Sequence, residues 1–342
     1  MTAPVRIGAV GYGYWGPNLV RNVDRLPDAE LVAVCDASGD NLAKAACLYP
    51  NAAMVTDLDT MLAEHDLDAV VVATSAPSHH AIARRALEAG KHVFVEKPLT
   101  LTSADAQDLV ALASEKGLTL MVGHLMVYHS AVRWIRETIA NGDLGDVLYL
   151  YAQRLNLGKV RTEENAFWSL APHDVSIALY LLGETPVSVS ATGAAYLTGG
   201  VHDTVFATLH FASGKMANIH VSWLDPHKIR KFTIVGTKKM LVFDDMEATE
   251  KIWIYDKGVG APESALAYGE DLSLRFGEIR VPWVPQKEPL ALEVQHFLDC
   301  VRSGATPESD GRAGLAVVQV LEAVDASMAA GGAPVAIAQA RP

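Results

Sequence analysis

Cysteine is scarce and poorly placed for cysteine chemistry: Cys35, Cys47 and Cys300 are far apart and form no C-x-x-C pair. That spacing argues against a disulfide framework or a thiolate zinc site, and reduced core thiols are expected. His124 and His129 lack acidic or cysteine partners at metal-binding spacing, so no metal site is expected either. No uninterrupted apolar run is long enough for a bilayer span, and Met1-Thr-Ala-Pro-Val-Arg6 enters a strand without a signal-peptide pattern. Basic residues are outnumbered, 28 Lys and Arg against 40 Asp and Glu, and the formal charge of −12 comes without a long basic run. Nucleic acid is therefore not an expected partner. These absences leave a soluble cytoplasmic enzyme as the expectation. At 342 residues, half of them apolar, the chain is long enough for two domains, each with a core.

What is present begins with Arg6-Ile-Gly-Ala-Val10 and the turn Gly11-Tyr12-Gly13-Tyr14-Trp15-Gly16, a G-x-G-x-x-G spacing between a strand and a helix. The first glycine permits the tight turn, the second lets backbone approach a pyrophosphate, and the third lets helix and strand pack closely. Pro17 suits the first helical turn, whose free amides and dipole face phosphates. A second strand, Leu31 to Cys35, ends at Asp36, 20 residues beyond Gly16, where a carboxylate can accept hydrogen bonds from the adenosine ribose. An acid there repels a 2′-phosphate, which favours NAD over NADP; Ser38 and Lys44 leave dual use open.

From Arg6 to Gly123, apolar strands at 69–73, 92–95 and 119–122 alternate with helices at 78–89 and 103–116, with Gly90 and Gly117 at cap positions. This predicts an α/β Rossmann domain, a doubly wound parallel sheet, over residues 1–123. Gly11, Asp36, Thr74-Ser75, Glu96-Lys97-Pro98 and Gly123-His124 then all fall at strand carboxyl ends, where such a fold binds ligands. Residues 124–342 read as an α+β domain. After a helix at 130–141, strands at 147–155, 187–192, 204–211, 217–223, 232–235 and 251–255 form a largely antiparallel open sheet, with hairpin signals at Ser213-Gly214 and Gly236-Thr237. Helices are expected at 172–182, 290–302 and 311–330, followed by a Gly/Pro-containing tail that is loose at its end.

The glycine turn, Thr74 with His79 five residues on, Ala89-Gly-Lys-His-Val-Phe-Val-Glu-Lys-Pro98 and His173 at a helix start together resemble the glucose-fructose oxidoreductase / inositol dehydrogenase / MocA family. The resemblance extends to Glu293-Val-Gln-His-Phe-Leu298 and Ser309-Asp-Gly311. Arg154-Leu-Asn-Leu-Gly158, Leu170-Ala-Pro-His-Asp174 and Leu224-Asp-Pro-His-Lys-Ile-Arg230 are similar to the branch that oxidises C3 of UDP-N-acetylglucosamine or its uronate. It implies NAD(H), a cis peptide before Pro98, a second domain for substrate and oligomerisation, closing helices packed back on the first domain, and homodimers or homotetramers built on the outer sheet face.

The resemblance also supplies residue roles. Lys97 and His173 are expected beside the substrate carbinol, with His173 as base and Lys97 orienting the hydroxyl, or with those roles exchanged. Cofactor contacts are expected from the turn residues Gly11 to Gly16, Asp36, Thr74, Ser75, His79, Glu96 and Lys97. Substrate contacts are expected from His124, Tyr128, Arg154, Asn156, Trp168 and Asp174. Arg154, Lys159, Arg161, Lys228, Arg230 and Lys231 are candidates for a diphosphate. Inositol-type members carry aspartates where this chain has Ser169 and Ser176, which favours a sugar-nucleotide substrate, and Ser75 stands where the family commonly has a proline, which implies a different shape for the loop beside the nicotinamide. A deoxysugar-nucleotide ketoreductase, a free-sugar, sugar-phosphate or inositol dehydrogenase, an NAD-dependent glycosidase and a non-catalytic regulator remain alternatives.

Overall fold

The computed structural model describes residues 3–158, 160–260 and 273–338. They form two compact units: residues up to Tyr128 with Lys287–Gln319, and His129–Gln286 with the chain from Val320.

The first unit alternates β1 (Val5–Val10), α1 (Gly16–Arg25), β2 (Ala29–Cys35), α2 (Gly39–Leu48), β3 (Ala53–Val55), α3 (Leu58–Glu64), β4 (Ala69–Val72), α4 (His79–Glu88), β5 (His92–Glu96), α5 (Ser103–Lys116) and β6 (Leu120–Gly123). The strands lie in the order β3-β2-β1-β4-β5-β6 and every pairing is parallel. This is the doubly wound dinucleotide order, with its switch point between β1 and β4. Ala69 to Val72 and Val93 to Val95 are at most 1% exposed, as strands covered on both faces must be. Helix starts are set by side chains: Ser38 accepts from the Asn41 amide, Asp57 from Thr60 and Thr102 from Asp105. Gly117, at φ +65°, closes α5.

The second unit contains α6 (Ser130–Ala140), β7 (Val147–Leu155), α7 (Ala166–Leu170), α8 (Pro172–Leu182), β8 (Pro186–Ala194), β9 (Thr204–Phe211), β10 (Met216–Ser222), β11 (Ile229–Gly236), β12 (Met240–Asp244), β13 (Ile252–Gly260) and β14 (Ser273–Arg280). Among the described residues its sheet runs β14-β13-β12-β11-β7-β10-β9-β8, followed by β15 (Val335–Ala336). Only the β7–β10 pair is parallel. Alternation separates the faces. Leu150, Ala152, Val205, Ala207, Ile219, Val221, Phe232 and Ile234 are buried, and α7 and α8 pack on β7, β9 and β10. The opposite face carries Tyr149, Tyr151, Phe206 and Met216, each between 39% and 47% exposed.

Two helices follow the strands, α9 (Pro289–Ser303) and α10 (Gly311–Ala329). All of α9 and the first part of α10 belong to the first unit. There Phe297 meets Phe94 edge-on at 5.8 Å, both fully buried, and each such ring contributes about 1.5–3 kcal/mol by leaving water. Beyond Ala330 the described chain reaches residue 338, and the end expected to be loose lies outside the described residues. Val335 and Ala336 pair with β8, and the Ile337 amide donates to the Val187 carbonyl at 2.9 Å.

Candidate active site

At the switch point, Gly11 has φ +94°, and a Cβ there would stand 2.8 Å from the Thr74 amide nitrogen and the Ala73 carbonyl carbon. Only glycine fits such a turn. A side chain at Gly16 would collide with the Gly11 carbonyl, whereas one at Gly13 would meet nothing within 4 Å. The turn is therefore tight where strand and helix meet and open at its middle glycine, the shape a pyrophosphate needs at the start of α1. Tyr14 is 98% exposed, while Tyr12 is buried with its ring edge-on to Tyr49.

Asp36 is held by three donors. The Tyr12 amide donates to Oδ2 at 2.6 Å; the Ser38 amide and the Asn41 amide group donate to Oδ1 at 2.8 and 3.2 Å. Each carboxylate oxygen accepts about two hydrogen bonds, so Oδ2 retains acceptor capacity for a ribose hydroxyl. Asn41 is a part of this site that the sequence reading missed, although its place in the first turn of α2 was legible from the Ser38 cap.

Beyond β4, the Ser78 hydroxyl donates to Thr74 Oγ1 at 2.8 Å, and Ser75 precedes a short 3-10 turn, Ala76–Ser78. His79 is buried, with Nδ1 2.8 Å from the Pro98 carbonyl and Nε2 3.1 Å from the Thr74 carbonyl. It is a strut between two loops of the edge. Burial depresses its pKa while the two carbonyls oppose the shift, and the neutral ring has one N–H for two acceptors. The Lys97–Pro98 peptide is cis.

Glu96 ends β5. Its Oε1 accepts from the Trp15 indole at 2.6 Å and its Oε2 from the Lys97 amide at 3.2 Å. Burial pushes its pKa up to about 7, against the pull of Lys97 and the indole. At the end of the neighbouring strand β6, one residue past Gly123, His124 is 1% exposed with neither ring nitrogen hydrogen-bonded by protein. Burial and the Lys97 charge hold its pKa at about 3, so the imidazole is neutral. Tyr128 is fully buried in this unit, its hydroxyl 3.0 Å from Ser309 Oγ, which donates to the Val122 carbonyl.

In the second unit, His173 lies in the first turn of α8, half-buried, its carbonyl accepting from Ser176. Its neighbour Asp174 takes a two-pronged contact from Arg154 on β7, Nε to Oδ2 at 2.6 Å and Nη2 to Oδ1 at 3.1 Å. Arg154 and Asp174 are 6% and 2% exposed. Trp168 donates its indole to Asp325 at 2.6 Å, and Asn165, which caps α7, donates to the other Asp325 oxygen at 2.8 Å. Asp325 escaped the sequence reading because it lies far downstream in an apolar helix. Asn156 is half-buried, its amide donating to the Ser222 carbonyl. Among the diphosphate candidates, Arg161 pairs with Glu164, Arg230 with Asp245 and Lys231 with Asp244, while Lys228 is exposed. Lys159 lies outside the described residues.

The first unit is thus a dinucleotide-binding fold whose carboxyl edge carries the half-buried residues Glu96 and Lys97. Residues 5–124 match the family model "Oxidoreductase family, NAD-binding Rossmann fold", and residues 132–242 match the "GFO/IDH/MocA C-terminal domain". The chain belongs to the Gfo/Idh/MocA family of oxidoreductases. It is 29% identical over 328 residues to UDP-N-acetylglucosamine 3-dehydrogenase of Acidithiobacillus ferrooxidans, covering 94% of this chain and 98% of that protein. A solved structure of that enzyme superposes with a TM-score of 0.79 at 27% identity, covering 96% and 99% of the two chains. Inositol 2-dehydrogenase of Rhizobium meliloti is 28% identical over 95% of this chain and 97% of its own. A solved chain from Magnetospirillum magnetotacticum MS-1 is 30% identical, with a TM-score of 0.80 over 94% and 99%.

Proposed function

We propose that this protein is an NAD-dependent dehydrogenase that oxidises a secondary hydroxyl, at C3, of a sugar nucleotide such as UDP-N-acetylglucosamine or its uronate. The observation that carries this reading is the near end-to-end similarity to a UDP-N-acetylglucosamine 3-dehydrogenase. NAD rather than NADP is supported by Asp36, whose fixed carboxylate suits a ribose hydroxyl and repels a phosphate. The Gly11 to Gly16 turn would hold the pyrophosphate, with Thr74, Ser75 and Lys97 toward the nicotinamide.

Bound NAD supplies the hydride acceptor. The chain supplies proton transfer and geometry. His173 takes the hydroxyl proton, and the Lys97 ammonium orients the hydroxyl and stabilises the developing alkoxide. Glu96, fixed by Trp15, sets the charge beside Lys97. Arg154 and Asp174 hold the start of α8 and with it the backbone of His173. The protein acts in the cytoplasm as a homodimer or homotetramer, a reading supported by the aromatic outer face of the second unit's sheet.

The test is NADH formation when the purified protein is mixed with NAD and, separately, UDP- and dTDP-sugars, free sugars and inositols. Reduction with an N-acetylated UDP-sugar or its uronate is expected, and Lys97→Ala should lower the rate by roughly 10²-fold or more. Turnover confined to inositols or free sugars would overturn the substrate class, and no turnover with any of them would overturn the dehydrogenase reading.

A further inference from the structure

Helix α8 starts without a cap of its own. Its N-cap position is Ala171, which has no side-chain acceptor, so no side chain there holds the turn in which His173 lies. Arg154 holds Asp174 from the sheet. The other hold comes through helix α7, which shares Ala171 with α8: the Ala171 amide donates to the Phe167 carbonyl at 2.9 Å, and the Val175 amide donates to the Ala171 carbonyl at 2.8 Å. The place of His173 thus depends on a helix of five residues, too short to hold itself. That helix is anchored at its start. Asn165 Oδ1 accepts from the Phe167 and Trp168 amides at 3.0 and 3.1 Å, and the Ala166 amide donates to the His202 carbonyl at 2.8 Å.

Asp325, half-buried on α10, completes the anchor. Its Oδ1 accepts from the Asn165 side-chain amide at 2.8 Å and its Oδ2 from the Trp168 indole at 2.6 Å. A side-chain amide has one accepting and one donating end, so an acceptor placed on the donating end fixes which end caps α7. The helix that carries Asp325 is itself tied down. Ser327, fully buried two residues on, accepts from the Ala191 amide of β8 at 2.8 Å and donates to the Ala333 carbonyl at 2.7 Å. All of these residues belong to the second unit. We propose that Asp325 is a positioning residue for His173: its two carboxyl oxygens clamp Asn165 and Trp168 at the start of α7, and α7 sets the first turn of α8. The part played by His173 as base rests on the dehydrogenase reading above; the clamp and its hold on the imidazole do not. Without Asp325, Asn165 is free to turn its amide and the indole N–H loses its partner. The displacement passes along α7 to α8, where a shift of about 1 Å at a reacting group can cost up to about 10²-fold in rate.

The test is NMR of the full-length protein, with the Trp168 indole and His173 imidazole signals identified by their loss in Trp168→Phe and His173→Gln. Asp325→Ala should shift both, the indole proton upfield as its short hydrogen bond is lost, while circular dichroism stays that of the parent. Asp325→Asn, which keeps one accepting oxygen for two donors, should shift them less and takes over if the alanine variant does not fold. An indole signal that does not move, or one that moves while the imidazole stays in place, overturns the proposal.

Turnover provides the functional arm. Asp325→Ala should lower kcat about tenfold or more, and KM for NAD, set by residues of the first unit, should stay within about twofold. In a His173→Ala background the same substitution should cost kcat less than about twofold, because residues that act as one unit do not add. Equal losses in the two backgrounds, or a kcat for Asp325→Ala within about twofold of the parent, overturn the positioning role. Indole and imidazole signals that move together in a protein that oxidises no sugar would instead sink the dehydrogenase reading and leave the clamp standing.

Discussion

Replacing Arg154 with methionine would leave the Asp174 carboxylate, 2% exposed, without the guanidinium that meets it at 2.6 and 3.1 Å. Both charges lie out of water, so the loss is that of a buried pair broken on one side, about 3–5 kcal/mol, not the few tenths typical of a surface pair. For a unit of this size that corresponds to a fall of roughly 6–20 °C in the midpoint of the transition that reports it. Removing both charges, as in Arg154→Met with Asp174→Leu, should recover most of the loss, because apolar replacements of similar volume are tolerated where a lone charge is not. Arg154→Lys should fall between, since an ammonium cannot reproduce the two-pronged contact. Scanning calorimetry of the parent, Arg154→Met, Asp174→Leu and the double variant closes the double-mutant cycle. The reasoning fails if Arg154→Met unfolds within about 1 kcal/mol of the parent, or if the double variant is no more stable than the single one. A double variant that regains stability but not turnover would show that the pair also serves the neighbouring His173.

The glycine turn offers a contrast between two alanines. Gly11→Ala meets backbone at 2.8 Å in a left-handed conformation and should cost about 2–4 kcal/mol, whereas Gly13→Ala enters open space and should leave the melting midpoint within about 0.5 kcal/mol of the parent; both should weaken NAD binding by calorimetry. Asp36→Ala removes a charged acceptor and should weaken NAD roughly 10- to 100-fold while narrowing its advantage over NADP, measured as a ratio of dissociation constants. Glu96 keeps its proton to about 7 in the folded chain but releases it near its ordinary 4.5 when unfolded. Between those values the native state binds more protons, so stability should fall as pH rises, by on the order of 3 kcal/mol, and Glu96→Gln should flatten urea midpoints measured across that window. Tyr149→Asp with Tyr151→Asp, on the exposed sheet face, should shift sedimentation toward a monomer if that face joins two copies.

Most of the first unit was legible because its signals are local. A continuous apolar run such as Ala69 to Val72 marks a strand covered on both faces, and Thr102 and Gly117 mark the two ends of α5. The short elements were not legible. β3 has three residues and α3 seven, too few to establish a period, and β15 is held by pairing to β8 across a long stretch of chain. The same division holds for the candidate site. Gly11 and Asp36 follow from motif spacing and Lys97 from the family resemblance of the run that contains it, whereas Asn41 and Asp325 became visible through what they touch.

The acids of this chain are deployed in three physically different ways, and the differences make chemical sense. Asp36 is surrounded by N–H donors and poised to accept from a neutral hydroxyl, a task that requires a permanent anion. Asp174 is neutralised by a guanidinium and so fixes backbone without adding net charge next to a histidine proposed to gain a proton. Glu96, half-buried and held by the Trp15 indole and the Lys97 amide, has its pKa pushed up to about 7, so its charge beside Lys97 is neither absent nor permanent. Exchanging the environments would defeat each role. A desolvated Asp36 would protonate and lose its preference against phosphate, an unpaired Asp174 would destabilise α8, and a solvated Glu96 would ionise fully and tighten its hold on the Lys97 ammonium. The feature to examine across variants is therefore the environment of each carboxyl, for which the Arg154, Asp36 and Glu96 substitutions are three independent probes.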